Sequence, residues 1–195
     1  MNGASLPVVM VDCGSARADA LGELLQAVGA SLRQVALSEA NATRFLDCDA
    51  VVISGGPQLF TAPGGDSLLE QFDFIKRLER PALGICLGHQ AMGLAAGARV
   101  FRGAERRGTE LVRRIGEHGL LDGLPDTVPL TADHCEGIDV PAGYICLASS
   151  PHYRNEIMVQ PERGFVGVQA HPESSGAAGR RLIENFMQLV RARSA

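Results

Sequence analysis

The stretch Pro81-Ala82-Leu83-Gly84-Ile85-Cys86-Leu87-Gly88-His89-Gln90 bears on fold and chemistry at once. It reads as a short buried strand, a tight turn carrying a cysteine, and the first turn of a helix. Gly84-Ile85-Cys86-Leu87-Gly88 is a G-x-C-x-G pentapeptide, the thiol counterpart of the G-x-S-x-G nucleophile elbow. A nucleophile on so sharp a strand-to-helix turn sits in a strained backbone conformation, and the chain can fold back beside it only where its neighbours are small. The turn is expected to lift the sulfur out of the sheet. The positive end of the following helix then points at it and favours the thiolate. Taken alone, the pentapeptide also fits a buried structural cysteine between glycines; the rest of the chain weighs against that.

Upstream, residues 6–11 and 50–53 are continuous apolar runs, the pattern of strands buried on both faces. Residues 32–37 read as a further strand. Leu21, Leu24 and Leu25 give helical spacing over 17–28, with Gly29 as its C-cap. A short helical turn is expected at 41–46 and a helix over 67–78, with Leu68, Phe72, Ile75 and Leu78 on one side. The helix after Cys86 should run to about Ala96. This alternation of strands and helices implies a parallel sheet with helices on both faces, in which ligands bind beyond the carboxyl ends of the strands. Both the Gly55-Gly56-Pro57 turn and Cys86 follow such ends.

Downstream the character changes. Strand-like pieces at 99–102, 110–115, 128–131, 144–149, 156–160 and 165–170 follow one another, separated by turns such as Asp122-Gly123-Leu124-Pro125. They imply antiparallel strands added to the sheet. An amphipathic helix over 178–193 closes the chain, burying Leu182, Ile183, Phe186, Leu189 and Val190. The whole of 1–195 reads as one α/β domain.

Bulk properties exclude several classes. The 195 residues are 46% hydrophobic and carry a net charge of −4, which points neither to nucleic acid nor to an anionic membrane. The arginines at 99, 102, 106, 107, 113 and 114 read as a solvated strand-loop-strand surface. There is no apolar run of transmembrane length, and the N-terminus has no charged region followed by an apolar one. The five cysteines (Cys13, Cys48, Cys86, Cys135, Cys146) show no C-x-x-C spacing, which fits free thiols in the cytoplasm. No metal or nucleotide signature is present. His134-x-Glu136 and His171-x-Glu173 each resemble half of a zinc-deaminase pattern, without the P-C-x-x-C that would complete it. No cofactor is expected.

A cysteine nucleophile needs a base and a group that orients the base. Of five histidines, His171 is the best placed, because it follows the apolar strand ending Gly167-Val168-Gln169-Ala170. Pro172 stiffens the next turn, so Glu173 can fold back onto the imidazole and fix its tautomer. A polar residue at a strand end is the plainer alternative for His171 taken singly. His118 and His152 read as loop residues and His89 as a packing or capping residue. The Gly55-Gly56 turn could aim the N–H of Gly56 into the site as an oxyanion donor, with the N–H of Leu87 as the second; an ordinary turn is the alternative.

Together, Ile53-Ser54-Gly55-Gly56-Pro57, Leu83-Gly84-Ile85-Cys86-Leu87-Gly88-His89-Gln90 and Gly167-Val168-Gln169-Ala170-His171-Pro172-Glu173 resemble the class I glutamine amidotransferase family, whose domain is flavodoxin-like. The Ser-Gly-Gly-Pro form, the Gly123-Leu124-Pro125 turn and Ala148-Ser149-Ser150 are most similar to the glutaminase part of GMP synthetases. The resemblance implies a catalytic triad of Cys86, His171 and Glu173, oxyanion donors at Gly56 and Leu87, and a substrate contact at Gln90. It implies hydrolysis of glutamine through a cysteine thioester, with the ammonia passed to an ATP-dependent synthetase. No ATP-pyrophosphatase region follows Glu173, so the expected synthetase is a separate chain. The sequence departs from the family in three places. Ala170 replaces an aromatic residue, which would open space beside the triad. Asp133-His134-Cys135-Glu136 stands where Ser-His-x-Asp is usual, and Asp12-Cys13-Gly14-Ser15-Ala16 lacks the Gln-Tyr that commonly follows the glycine. A stand-alone γ-glutamyl hydrolase and a non-catalytic glutamine-binding relative are the other readings.

Overall fold

A computed structural model describes residues 5–194. In chain order, β1 (Leu6–Asp12), α1 (Ala18–Ala27), β2 (Ala30–Ala36), α2 (Leu37–Ala40), β3 (Ala50–Ile53), α3 (Gly65–Glu70), β4 (Ala82–Ile85) and α4 (Leu87–Ala95) form the alternating half. The second half comprises β5 (Val100–Arg114), β6 (Thr127–Ile138), β7 (Ile145–Ser149), β8 (Ile157–Gln160), β9 (Phe165–Val168) and the closing α5 (Gly176–Ser194). Among the described residues, all nine strands belong to one sheet of order β2-β1-β3-β4-β9-β8-β7-β5-β6. The first five in that order are mutually parallel; the remaining ladders are antiparallel.

The alternation of side chains along the strands explains the two cores. On β1, Val8 and Met10 join one apolar cluster while Val9 and Val11 join the other. The first cluster is covered by Leu21 and Leu25 of α1 and by Leu182, Ile183, Phe186 and Val190 of α5. The second is covered by Leu37 of α2, Leu68 of α3, and Leu87, Ala91 and Met92 of α4. Burial on both faces is why β1, β3, β4 and β9 read as unbroken apolar runs.

Four elements differ from the sequence expectation; one is the strand expected at 128–131, which runs on to Ile138 as β6. The helix expected over 67–78 breaks after Glu70 and resumes as a 3₁₀ turn at Asp73–Arg77. The side chain of Asn41 spans that break: its Nδ2 donates to the carbonyl of Glu70 at 2.8 Å and its Oδ1 accepts from the N–H of Phe74 at 2.9 Å. Asn41 itself caps the C-terminus of α2, so the helical turn lies before it rather than at 41–46. The strands expected at 99–102 and 110–115 are a single strand, β5, with a register shift against β6 between Arg102 and Arg106. Its middle is exposed, which is why it lacks an apolar pattern. Among the described residues, no helix is long and apolar enough to cross a membrane.

Strand β9 is last in sequence but lies beside β4 in the sheet. Their register pairs Gly84 with Gly167 and Ile85 with Val168, and the N–H of Cys86 continues it by donating to the carbonyl of Val168 at 2.9 Å. Whatever follows β9 therefore emerges beside whatever follows β4.

Candidate active site

Cys86 has φ +49° and ψ −102°, the only positive φ outside glycine among the described residues. Such strain persists only where the surroundings enforce it. Here the enforcement is close packing on either side. A Cβ on Gly84 would lie 2.5 Å from the carbonyl oxygen of Gly88, and one on Gly88 would lie 2.5 Å from that of Ile53. The two glycines let α4 start directly on top of β3 and β4, with Cys86 as its N-cap residue.

Three residues past β9, His171 is held by its backbone. Its N–H donates to the carbonyl of Thr131 at 2.8 Å, and the hydroxyl of Ser175 donates to its carbonyl at 2.6 Å. A 3₁₀ turn over Pro172–Ser174 folds Glu173 back, placing Oε1 2.7 Å from His171 Nδ1. The two side chains are 4% and 1% exposed, so the pair is shielded from water. A carboxylate against Nδ1 selects the tautomer that carries its proton there and leaves Nε2 with a lone pair. The third adjacent strand end, that of β3, supplies Ser54 and Gly55. A Cβ on Gly55 would meet His171 Cε1 at 2.9 Å and Cys86 Cβ at 3.5 Å. The imidazole of His171 and the β-carbon of Cys86 thus flank a glycine that no larger residue could replace without displacing the ring.

The electrostatics depart from the expected thiolate. Burial pushes the Cys86 thiol up to about 12; the N–H of Leu87 and the Arg17 cation act against that, while the Glu173 and Asp133 carboxylates add to it. Desolvation outweighs the helix end, because Cys86 is only 6% exposed. At rest the sulfur is a thiol, and its hydrogen-bonding neighbours are the Gln169 amide at 3.7 Å and the Asp133 carbonyl at 4.0 Å. Any activation must come from a base that takes the proton as the sulfur attacks.

A cavity of about 480 Å³ opens over Cys86 and is lined by Gly56, Leu87, Gln90 and His171 among others, so the sequence-predicted residues, apart from Glu173 behind His171, share one site. Gly56 packs against the carbonyl of Cys13 and the side chain of Leu87. Gln90 is buried, and its Nε2 donates to the carbonyl of Glu136 at 3.1 Å and to Gln169 Oε1 at 3.3 Å. Of the other histidines, His134 also lines the cavity, with its pKa lowered to about 4 chiefly by burial, and the remaining three stand apart. His89 is fully buried in the sheet–helix packing, which lowers its pKa to about 3 and keeps it neutral. His118 accepts the N–H of Leu120 at a helix start, and His152 is exposed. Ala170 is 1% exposed and belongs to the core beneath the site rather than to the cavity wall, so its small size opens no space there.

Several site residues carry no individual role in the sequence reading, which marks Asp133 and Glu136 only within a segment that departs from the family's pattern. Gln169 links Cys86 to Gln90. The buried carboxylate of Glu136 accepts the N–H groups of Phe60 and Thr61 at 3.0 and 2.7 Å, fixing the loop that follows Gly56. Arg17 and Asp133 form a 2.8 Å ion pair beside the thiol. The only signal for Gln169 is its place two residues before His171; the other contacts join residues far apart in sequence.

A parallel sheet whose adjacent strand ends bring together a thiol and an imidazole backed by a carboxylate has the parts of a cysteine nucleophile, its base and an orienting group. The family model for class-I glutamine amidotransferases matches residues 9–189, and the chain belongs to that family. It is 35% identical over 144 residues to a glutamine-hydrolysing GMP synthase subunit from Methanosarcina barkeri, covering 72% of this chain and 73% of that one. The corresponding protein from Methanoculleus marisnigri is 37% identical over 142 residues, covering 71% and 73%. Among solved structures, the fold matches a candidate GMP synthase subunit from Thermoplasma acidophilum with a TM-score of 0.88 at 23% identity, over 99% of this chain and 98% of that one. A glutamine amidotransferase from Thermotoga maritima matches at 0.74 and 22% identity, over 98% and 86%.

Proposed function

We propose that this protein hydrolyses the side-chain amide of glutamine on Cys86 and supplies the ammonia to a separate ATP-dependent synthetase that makes GMP. The observation that carries the reading is the convergence of Cys86 and the His171–Glu173 pair on Gly55. The kinship with glutamine-hydrolysing GMP synthase subunits supplies the acceptor.

The chemistry follows from the groups present. Cys86 attacks the γ-carbonyl carbon as its proton passes to Nε2 of His171, which suits a thiol whose resting pKa is high. The N–H groups of Leu87 and Gly56 receive the oxyanion, each such donor being worth about 3–4 kcal/mol in acyl transfer. His171 then returns the proton to the departing nitrogen as the C–N bond breaks, leaving a γ-glutamyl thioester and ammonia. Water loses a proton to His171, attacks the thioester carbonyl and expels the sulfur, which regains the proton; glutamate leaves. Glu173 holds the imidazole and stabilises its charged form throughout.

The test uses 6-diazo-5-oxo-norleucine, a reactive glutamine mimic, with intact-mass spectrometry and peptide mapping. A single adduct on Cys86, together with loss of glutamine turnover in a folded Cys86→Ala variant, is expected. Turnover that survives in Cys86→Ala, or an adduct mapping elsewhere, would overturn the assignment. Ammonia transfer is tested by adding a GMP-forming synthetase chain with its nucleotides: glutamine-dependent product is expected, and product only with free ammonium would remove the partner.

A further inference from the structure

We propose that a second cavity, between the C-terminal turns of α5 and the ends of β8 and β9, binds a small, uncharged aromatic heterocycle with one ring N–H and one bare ring nitrogen. The cavity lies at the amino ends of β4 and β9, the opposite end of those strands from Cys86 and His171. The proposal therefore stands or falls independently of the reaction there. The volume is about 220 Å³. That is below the roughly 300–1,000 Å³ of pockets for larger ligands and above the 150 Å³ or so that holds a benzene ring, so the guest has one ring or two fused rings. Phe165 and Val166 of β9, Val159 of β8, and Phe186 and Leu189 of α5 form apolar walls. The hollow exists because α5 runs on past the start of β9. The turn between β8 and β9 closes its rim: Gly164, at φ +67°, donates its N–H to the carbonyl of Pro161 at 3.2 Å.

Two polar side chains interrupt the apolar lining, and each has one group to spare. The Nδ1 of His118 accepts the N–H of Leu120 at 3.1 Å, so the ring carries its proton on Nε2, a donor. Burial lowers the pKa of His118 and keeps the ring neutral. The Nε2 of Gln160 is turned away from the cavity, 3.5 Å from where a Cβ on Gly143 would stand. Its Oε1, at the other end of the amide, is buried and has no hydrogen-bond partner among the described residues. A buried acceptor left unpaired is costly, so a guest N–H gains most by meeting that oxygen. The bare nitrogen of the same ring takes the N–H of His118. Arg193 is the one charged residue among those that line the cavity. Its two Nη groups donate to the carbonyls of Pro161 and Glu162 at 2.8 and 2.6 Å, which ties the cation to the turn at the rim. The interior thus offers one donor, one acceptor and apolar walls, a match for an uncharged ring.

The experiment follows backbone amide signals of the full chain by NMR during titration with benzimidazole, which is uncharged at neutral pH and has one ring N–H and one bare ring nitrogen. Saturable shifts confined to residues 159–166 and 186–193 and the neighbourhood of His118 are expected. 1-Methylbenzimidazole lacks the N–H and indole lacks the bare nitrogen. Each should bind roughly three- to tenfold more weakly, the loss of one hydrogen bond. Gln160→Leu should erase the first difference. His118→Asn, which can still accept the N–H of Leu120, should erase the second. Leu189→Trp should fill the cavity and abolish binding. Ala192→Trp, on an exposed position of the same wall, repeats that test should the first variant not fold. Absence of saturable shifts at the cavity, undiminished binding in a folded tryptophan variant, or equal affinity for the three compounds would overturn the proposal. So would tighter binding of benzoate, which would make Arg193 the recognising group. A chain that takes none of these probes and forms a dimer that Ala192→Trp breaks would overturn it in favour of a second copy covering the cavity.

Discussion

At the scale of the residue, the resting state of Cys86 is set by a contest between burial and the charges around it, and burial prevails. Its thiol is held up at about 12, so the protonated form dominates at every pH below that. Alkylation of Cys86 by iodoacetamide in the free protein should therefore keep rising between pH 8 and pH 10. A plateau near neutrality would mean that the helix end and a cationic His171 stabilise the thiolate after all. On the proposed mechanism, a thiol as the starting species makes the reaction depend on His171 presenting the correct tautomer, which is the work assigned to Glu173. Its Oε1 lies 2.7 Å from Nδ1, while Oε2 is buried without a hydrogen-bond partner among the described residues, so one oxygen carries the whole interaction. Glu173→Gln should lower kcat by about 10²-fold or more and leave KM for glutamine nearly unchanged. Steady-state kinetics decides: a raised KM at constant kcat would place Glu173 against substrate instead.

At the scale of the element, the site is an arrangement of three strand ends and the loops that leave them. The loop after β3 carries Gly56 and forms one wall of the cavity, and its hold on the fold is the Glu136 carboxylate reaching over from β6. Removing it in Glu136→Ala leaves the buried N–H of Phe60 without a partner and frees that of the more exposed Thr61, a loss of about 1–3 kcal/mol. Amide exchange at Phe60 and Thr61 should accelerate, and kcat should fall as Gly56 loses its position. Unchanged exchange across this loop would mean that the ring contact of Phe60 with Phe72, at 5.9 Å between centroids, suffices to hold it. The same long reach explains what can be read from the sequence and what cannot. Cys86, His171 and Glu173 are legible because each sits in a local motif at the carboxyl end of an apolar strand, where a parallel sheet places its ligands. The strands themselves are legible because both faces are buried. Glu136, Asn41 and Arg17 act on partners dozens of residues away, and no local pattern marks such a bond. The break at Gln71–Phe72 is hidden because the apolar spacing of Leu68, Phe72 and Ile75 continues through it, while the hydrogen bonds that end the helix come from Asn41. The exposed middle of β5 reads as a loop for the opposite reason: a strand without a buried face has no alternation to show.

At the scale of the whole molecule, stability and its dependence on pH hinge on charges that the antiparallel half buries. Glu156, just before β8, is 2% exposed and its pKa is raised to about 7, chiefly by burial, with the Glu110 carboxylate adding to the rise and a hydrogen bond from Ser150 and the Arg106 cation opposing it. Glu110 in turn pairs with Arg106 at 2.7 Å on β5, so Arg106 has two carboxylates to serve and Glu156 receives the weaker share. Oε1 of Glu156 has no hydrogen-bond partner among the described residues. The sign of the linkage follows from the direction of the shift. Folded Glu156 holds its proton up to about pH 7, whereas the unfolded chain releases it near the ordinary glutamate value of 4.5. Between those values the folded state binds more protons than the unfolded one, so stability falls as pH rises through that window. Glu156→Gln fills the same space with a neutral group that can keep the Ser150 contact. The variant should match wild type at pH 4.5 and exceed it at pH 8 by on the order of 2–3 kcal/mol, the linkage value of a shift of this size. Urea unfolding at the two pH values measures it. An equal effect at both would mean that Glu156 does not titrate across this range. A variant less stable at pH 8 would mean that the ionised carboxylate is held by Arg106 strongly enough to offset its burial, and the β5–β8 side of the sheet would then be tied together by that charge rather than strained by it.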